Sequence, residues 1–527
     1  MDITRRKFGQ VIASGLGAGI VPVQAFAAQA DGVVRRPNIV FICSDEHNGR
    51  MLMGGPGKAV PVKTPNLDRL AALGVTFTNA YTSDPVCAPA RAALMTGRFA
   101  SDVGSYCNST PFDGRVPTWG NYLEGAGYFC WATGKMDLTP DADIGFKQVN
   151  TSHGHFMHPD ITSLFRMPLC YRIDERKQVN GEAGNKSAHD RAVVENGLEF
   201  LRSEADHLGK PWAAYLGMTM PHPPFVAPQK LLDLYPTYEV HLPNIPPKYL
   251  ENMHIVFQAL RNFKLISTPI PEERIRRARS AYYAMITELD GNIGEVLDQI
   301  EKTGQLKNTL FIYTSDHGEM LGTNGLWMKN VLLEGAEHVP LFMAGAGLPR
   351  GKIVETPVSH MDLVATMLDV AGISIPNGLR GHSLLPLILG EHTKYPEHVY
   401  AESNSEGNCT GSYMIRKGDW KYIYFSWYDH NLLFNLKEDP GEFHNVADQP
   451  QFASVIRELH GILTSLVNPD AITGAAFQKQ RGILKSMVEK DSPNEFCDTL
   501  SSRLGRGQAI ALAKKYFPKW EPPAQPQ

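Results

Sequence analysis

Apolar runs that end in polar residues recur along the chain. Residues 38–43, 128–133, 212–218 and 309–314 are almost continuously apolar, whereas residues 75–81 alternate between apolar and polar. Continuous runs of this length are typical of parallel strands buried on both faces, and alternation is typical of a strand with one buried face. These segments, with helical patterns between them, predict one large α/β domain.

The remaining periodic segments predict a long helix and a smaller second region. Apolar residues at helical spacing predict a helix over residues 272–301. Residues 413–424 predict two strands joined by a Gly418-Asp419 turn, and residues 431–435 a further strand. Helical patterns then continue to about Phe517. We therefore divide the chain into a leader at residues 1–30, a main domain at 31–395 and a C-terminal subdomain at 396–527.

Composition excludes several classes of protein. The chain has 527 residues, a net charge of −4 and 20% charged residues, without the polybasic face that a nucleic-acid partner requires. The basic run 274–279 lies on the predicted long helix, where a solvated face is the simpler interpretation. Seven cysteines in a chain of this length do not indicate a disulfide framework.

The first thirty residues have the features of an export leader. Arg5 and Arg6 precede a short, glycine-rich apolar run, and alanine-rich cleavage sites follow it. The run is too short for a bilayer span of about 30 Å. It resembles a twin-arginine signal, which implies transport of the folded protein by the Tat translocase. We expect a periplasmic or secreted protein; an N-terminal membrane anchor is the alternative.

A loop that becomes a helix carries the most informative motif. Pro89 suits a first helical turn, residues 90–95 favour helix, and Gly97 ends the run. Cys87 is therefore expected just before a helix N-terminus, where free N–H groups favour an anion. A buried cysteine that caps an ordinary helix is the alternative.

Cys87-x-Pro89-x-Arg91, followed by Leu94-Met95-Thr96-Gly97, resembles the signature of the type I sulfatases, within the alkaline-phosphatase-like superfamily. The resemblance extends over residues 37–447. It implies a large mixed, mostly parallel sheet flanked by helices, with a smaller antiparallel sheet in the C-terminal subdomain. It also implies that a formylglycine-generating enzyme oxidises Cys87 to formylglycine (3-oxoalanine).

Acidic residues follow the first and last of the continuous strands. Asp45 and Glu46 come after residues 38–43, and Asp316 and His317 after residues 309–314. The carboxyl ends of parallel strands are where open α/β sheets place their ligands. The resemblance implies that these four residues and residue 87 hold one divalent metal. Carboxylates favour Ca²⁺, and the histidine also admits Mn²⁺. For Asp45 and Glu46 a solvated turn is the alternative.

Three further side chains complete the predicted site. Lys135 follows strand 128–133, His222 lies in a proline-fixed loop after strand 212–218, and Lys329 lies in a Leu-Trp-Met-Lys segment. The resemblance implies that all three contact the sulfate ester. Asp137 stands where the family usually has histidine, and its carboxylate is a potential partner of Lys135. A surface salt bridge is the alternative for Lys135.

Together these residues predict hydrolysis of a sulfate ester. The resemblance implies that hydrated formylglycine attacks sulfur, with Arg91 orienting its hydroxyl and Lys329 or His222 protonating or shielding the departing alcohol. A sulfated carbohydrate is the favoured substrate; choline sulfate and aryl sulfates stay open, and loops within residues 139–185 are expected to decide among them. The alternatives are a phosphonate or phosphate ester hydrolase of the same superfamily and an exported binding protein with unmodified Cys87.

Overall fold

The computed structural model describes residues 36–51, 62–154, 160–165, 170–391 and 395–522. The predicted leader at residues 1–30 lies outside these ranges. Among the described residues, no helix combines the length and the apolar character that crossing a lipid bilayer requires. Residues 34–527 form one compact unit, which contains both sheets described below.

The strands of this unit are, in chain order, β1 (Asn38–Asp45), β2 (Gly74–Tyr81), β3 (Phe129–Lys135), β4 (Lys147–Ser152), β5 (Gly181–Ala183), β6 (Trp212–Pro221), β7 (Phe225–Ala227), β8 (Thr309–Ser315), β9 (His338–Gly345), β10 (Lys352–Val354), β11 (Val358–Ser359), β12 (His398–Ser403), β13 (Ser412–Lys417), β14 (Trp420–Phe425) and β15 (Leu432–Asn435).

Its α-helices are α1 (Pro65–Leu73), α2 (Cys87–Thr96), α3 (Trp119–Gly125), α4 (Ile173–Gln178), α5 (Ala188–Glu199), α6 (Gln229–Leu232), α7 (Ile255–Phe263), α8 (Glu272–Lys302), α9 (Glu334–Glu337), α10 (Met361–Val370), α11 (Leu385–Leu389), α12 (Ala453–Leu466), α13 (Pro469–Lys490), α14 (Pro493–Leu504) and α15 (Arg506–Tyr516).

Nine strands of the described chain form the large sheet. Its order is β10-β2-β9-β8-β1-β6-β3-β4, with β11 pairing beside β10 on β2. Only β9 runs against its neighbours; the other pairings in this sheet are parallel. The expectation of a mixed, mostly parallel sheet flanked by helices is confirmed.

The central strands are buried because their residues are apolar on both faces. Ile39, Val40, Phe41 and Ile42 of β1 are fully buried, which is the environment that a continuous apolar run requires. Helix α8 packs beside this sheet with its buried stripe, as its helical periodicity predicts. The order β8-β1-β6-β3 brings the carboxyl ends of four parallel strands to one edge.

The C-terminal region contains the expected small antiparallel sheet. Its order is β12-β13-β14-β15, and Gly418 and Asp419 join β13 to β14 as predicted. The strand β12 (His398–Ser403) was not predicted from the sequence. Helices α12 to α15 follow this sheet.

Candidate active site

The predicted site residues meet at the edge where β8, β1, β6 and β3 end. Ser44 lies opposite Ser315 in the parallel register of β1 and β8, which makes Asp45 and Asp316 neighbours across the sheet. The Glu46 N–H donates to Asp316 Oδ1 at 3.2 Å, and the His317 N–H donates to the same oxygen at 2.9 Å. Strand pairing therefore converts two distant sequence motifs into one cluster.

Cys87 is the first residue of α2, rather than the residue before it as the sequence suggested. Val86 is extended, and Gly97 ends the helix in the left-handed region with a φ of 64°. The Cys87 thiol is fully buried. Its Sγ lies 3.1 Å from Lys329 Nζ, 3.3 Å from His317 Nε2 and 3.7 Å from Asp45 Oδ1. The thiol thus lies among cationic, imidazole and carboxylate groups.

Four residues have donor atoms close enough to hold one metal ion. The atoms from Asp45, Cys87, Asp316 and His317 lie within 4.8 Å of one another, and all four residues are buried. Glu46 adds a buried Oε1 that has no hydrogen-bond partner among the described residues. Carboxylate oxygens beside an imidazole and an uncompensated buried oxygen fit a divalent cation. We call Asp45, Glu46, Cys87, Asp316 and His317 the active-site cluster.

The turn that presents Glu46 is held by the long helix α8. Glu46 has a φ of 70°, and its carbonyl accepts a hydrogen bond from Tyr282 of α8 at 2.7 Å. Its Oε2 accepts from Lys329 Nζ at 2.9 Å and lies 3.4 Å from His222 Nε2. Glu46 consequently connects the cluster to both residues expected to contact the leaving group.

Lys135 enters the site at the end of β3, where the backbone of β6 lies close to its carbonyl. A Cβ at Gly217 would collide with the Lys135 carbonyl, so glycine is required at this crossing. The Lys135 ammonium contacts Asp45 Oδ2 and lies 3.0 Å from Asp137 Oδ2. The side chain that replaces the family histidine is therefore a partner of Lys135.

Arg91 lies within the protein beneath the cluster. Its fully buried guanidinium donates to Asp316 Oδ2 at 2.8 Å, to the Lys135 carbonyl at 2.8 Å and to Tyr215 Oη at 2.9 Å. These contacts join α2 to β3, β6 and the end of β8. Arg91 therefore contacts the cluster through Asp316 and the Lys135 carbonyl.

Burial and neighbouring charges set the protonation of the cluster. Burial, with the nearby Asp45 charge, raises the pKa of Asp316 to about 6. Burial also raises the pKa of Glu46 to about 7. Although burial and Cys87 oppose it, Lys135, His222 and Lys329 hold the pKa of Asp45 below its ordinary value. Carboxylates crowded in this way are stabilised by added positive charge.

The loop that carries His222 is held by a lysine that sequence reasoning missed. Lys186 Nζ donates to the His222 carbonyl and lies 3.5 Å from the Pro224 carbonyl. The His222 Nδ1 donates to the Pro223 carbonyl at 2.6 Å. Burial lowers the pKa of Lys186 to about 8, against the opposing charges of Asp45 and Asp190. No motif in the sequence marks Lys186, because it acts on a backbone carbonyl.

A cavity of about 130 Å³ adjoins the cluster. Glu46, His222 and Lys329 form part of its wall. Four other wall residues come from the segment expected to decide the substrate, namely Asp160, Arg172, Glu175 and Gln178. Glu406 and Arg503 come from the C-terminal region and were not predicted. Their position depends on how the small sheet and α14 pack.

Two family models and several known proteins match this chain. A family model described as Sulfatase matches residues 37–373, and one described as N-sulphoglucosamine sulphohydrolase, C-terminal, matches residues 322–468. The chain is 34% identical to a choline-sulfatase of Rhizobium meliloti (strain 1021), covering 79% of this chain and 83% of the relative. It is 33% identical to arylsulfatase K of Danio rerio, covering 83% and 85%. The solved phosphonate monoester hydrolase from Silicibacter pomeroyi superposes with a TM-score of 0.68 at 26% identity, covering 81% of this chain and 94% of that one.

Proposed function

We propose a substrate and a mechanism for this chain, which belongs to the sulfatase family and is a sulfuric ester hydrolase. In this proposal it cleaves the sulfate ester of a carbohydrate with a formylglycine made from Cys87 and one divalent metal. The observation that supports this most directly is the setting of Cys87. Its Sγ lies 3.1 Å from Lys329 and 3.3 Å from His317, in contact with the acidic ends of two parallel strands.

The residues present fit both groups. Asp45, Glu46, Asp316 and His317 would hold the metal with residue 87, and their oxygen-rich composition favours Ca²⁺ over Mn²⁺. When bound, the hydrated aldehyde supplies one hydroxyl for attack on sulfur and a second for release of sulfate, and the metal supplies the charge that activates the first.

The side chains around this position bind and orient a tetrahedral anion. Burial opposes their charge, but neighbouring anions hold the pKa values of Lys135 and Lys329 well above ordinary. Both lysines therefore stay cationic and attract sulfate oxygens. His222 reaches the cavity, where it is placed to protonate the departing alcohol. Arg91 and Lys186 position these groups through Asp316 and the His222 carbonyl.

The proposal includes maturation and export. We propose that the formylglycine-generating enzyme acts on Cys87 and that the Tat translocase exports the folded protein to the periplasm or medium. Arg5 and Arg6 support the export step. The net charge of −4 gives no support to a nucleic-acid partner.

A phosphonate or phosphate ester is the second candidate substrate. The similarity to a solved phosphonate monoester hydrolase favours it, because sulfate and phosphonate esters present similar tetrahedral oxyanions to the same cationic groups. An exported binding protein with unmodified Cys87 would have the same fold but would turn over no ester.

The test compares rates on an aryl sulfate and on an aryl phosphonate monoester, with the purified, matured protein. Mass spectrometry of the peptide that carries residue 87 is run on the same sample. We expect the aldehyde mass and a higher kcat/KM on the sulfate. Preference for the phosphonate would support the second candidate, and an intact thiol without turnover on either ester would support the binding protein.

A further inference from the structure

A carboxylate on the cavity wall has no role in the reaction at sulfur. Glu406 lies in the connection between β12 and β13, is 3% exposed and lines the cavity. Its Oε2 is buried and has no hydrogen-bond partner in the part of the chain that the structure describes. An uncompensated buried carboxylate oxygen costs free energy, so the fold retains a costly group beside the reaction centre.

The other charged groups of the outer wall already have partners. Arg172 lies 3.2 Å from Asp160 and 2.7 Å from Asp174, and Arg503 lies 3.3 Å from Asp174. Glu175 is ion-paired with the buried Lys264 at 3.1 Å. Glu406 therefore presents the acceptor oxygen that a ligand in the outer cavity would complete.

The residues of the cavity wall indicate which chemical group of a ligand would contact Glu406. Among the described residues, no phenylalanine, tyrosine or tryptophan lines the cavity. A quaternary ammonium group or an aryl ring is usually bound against such aromatic faces. A hydroxyl group needs no aromatic face, because it donates a hydrogen bond directly to a carboxylate.

We infer that Glu406 accepts a hydrogen bond from a free hydroxyl group of the alcohol half, which makes it a specificity-determining residue for a polyhydroxylated substrate. The inference rests on the proposed function, since it assigns the cavity to the alcohol half of the ester. In this inference, Glu406 contacts a hydroxyl group of the sugar, and the active-site cluster carries out the reaction at sulfur.

The experiment measures kcat and KM on glucose monosulfates, on choline sulfate and on 4-nitrophenyl sulfate, for wild type, Glu406→Ala and Glu406→Gln. On the best glucose sulfate, Glu406→Ala should lower kcat/KM by about 10- to 100-fold, mainly through KM, because a hydrogen bond to a charged group is lost. On 4-nitrophenyl sulfate, which has no such hydroxyl, it should change kcat/KM by less than about twofold. Glu406→Gln keeps an acceptor oxygen, so its kcat/KM on the glucose sulfate should lie between the values of wild type and Glu406→Ala.

A deoxy substrate identifies the contact. Removing the recognised hydroxyl should lower the wild-type kcat/KM by a similar factor and should have no further effect in Glu406→Ala. Glu402→Gln is the matched control, because Glu402 is buried nearby but is held by Ser101 N at 2.8 Å and Tyr400 Oη at 3.0 Å and does not line the cavity. Its kinetics should match wild type on both substrates.

Several results would overturn the inference. They are an equal loss on both esters, a loss confined to choline sulfate, or a deoxy effect that persists in Glu406→Ala. Turnover of 4-nitrophenyl sulfate without turnover or binding of any glucose sulfate would overturn it while the proposed reaction stands. If no sulfate ester is turned over, the proposed function fails. The contact with Glu406 is then tested by calorimetry, which measures the dissociation constants of glucose sulfates for Cys87→Ala and for Cys87→Ala/Glu406→Ala. Equal dissociation constants would exclude the contact.

Discussion

Two buried clusters of charge in this protein have different consequences. The active-site cluster combines carboxylates with a thiol and an imidazole at the edge of the large sheet. In the second, which we call the lysine cluster, Lys421 of β14 lies 3.2 Å from Glu334, 3.0 Å from Glu337 and 3.0 Å from Glu442. Both bury several carboxylates, but only the first borders the cavity described above.

The difference lies in the groups that surround the carboxylates. Lys421 is fully buried and its single ammonium contacts all three acids, so the lysine cluster joins the small sheet to the α9 segment through a shared cation. In the active-site cluster, the carboxylates of Asp45 and Asp316 meet a thiol and an imidazole within 4.8 Å, beside the cavity. Buried acids therefore indicate structure or function according to the donor types beside them and their access to a cavity.

The largest expected effect follows from replacing Cys87, the residue that becomes the formylglycine in the proposed mechanism. Cys87→Ser should reduce steady turnover of an aryl sulfate by about 10³-fold or more. A serine hydroxyl is able to attack sulfur once, but the sulfated serine lacks a second hydroxyl to release sulfate. Stopped-flow kinetics should show at most one equivalent of alcohol. Continued multiple turnover by this variant, with the serine shown by mass spectrometry to be unmodified, would contradict the formylglycine mechanism.

Lys421→Met should affect stability and leave the chemistry unchanged. Removing the lysine takes away the cation that three buried acids share, which we expect to cost about 3–5 kcal/mol in free energy of unfolding. Denaturant titration measures this, and kcat on an aryl sulfate well below the midpoint should match wild type. Lys417→Met, at a half-exposed lysine paired with Glu458, is the control and should cost at most about 0.5 kcal/mol. Similar costs for both would show that the lysine cluster is not coupled to folding.

Asp316→Asn, in contrast to Lys421→Met, should affect the chemistry. The substitution removes a negative charge from the active-site cluster and weakens the contact with Arg91, so metal content and kcat should fall together, the latter by about 10²-fold. Elemental analysis and aryl sulfate kinetics on the same sample provide the test. Full metal content with normal turnover would show that Asp316 is not a ligand.

The smallest effect is expected at Asp137. Its carboxylate lies 3.0 Å from Lys135, and a histidine at this position would restore the residue usual in the family. Asp137→His should therefore retain kcat/KM within about tenfold, since Asp45 still contacts Lys135. Loss of all activity in a protein that melts normally would give Asp137 a role beyond this ion pair.

Much of the active site was predictable because its signals are local. Continuous apolar runs located β1, β3, β6 and β8, and parallel strands bring their carboxyl ends to one edge whatever the length of chain between them. Asp45, Lys135 and Asp316 therefore converge without any knowledge of the connecting loops. The helix signals around Cys87 placed it within one residue of its observed position.

The tertiary structure alone decided which groups support and surround that edge. The motif marked Arg91, but only the folded structure shows that it donates to Asp316, 225 positions away. Lys186 acts on the carbonyl of His222 and has no signal in the sequence, because a contact with a backbone acceptor leaves no periodic or compositional pattern. Arg503 reaches the cavity because α14 packs beside residues 161–164 and 173–178, and Glu406 reaches it from the connection between β12 and β13. Local patterns specify where strands end, whereas the walls of a cavity arise from contacts between segments that the sequence does not pair.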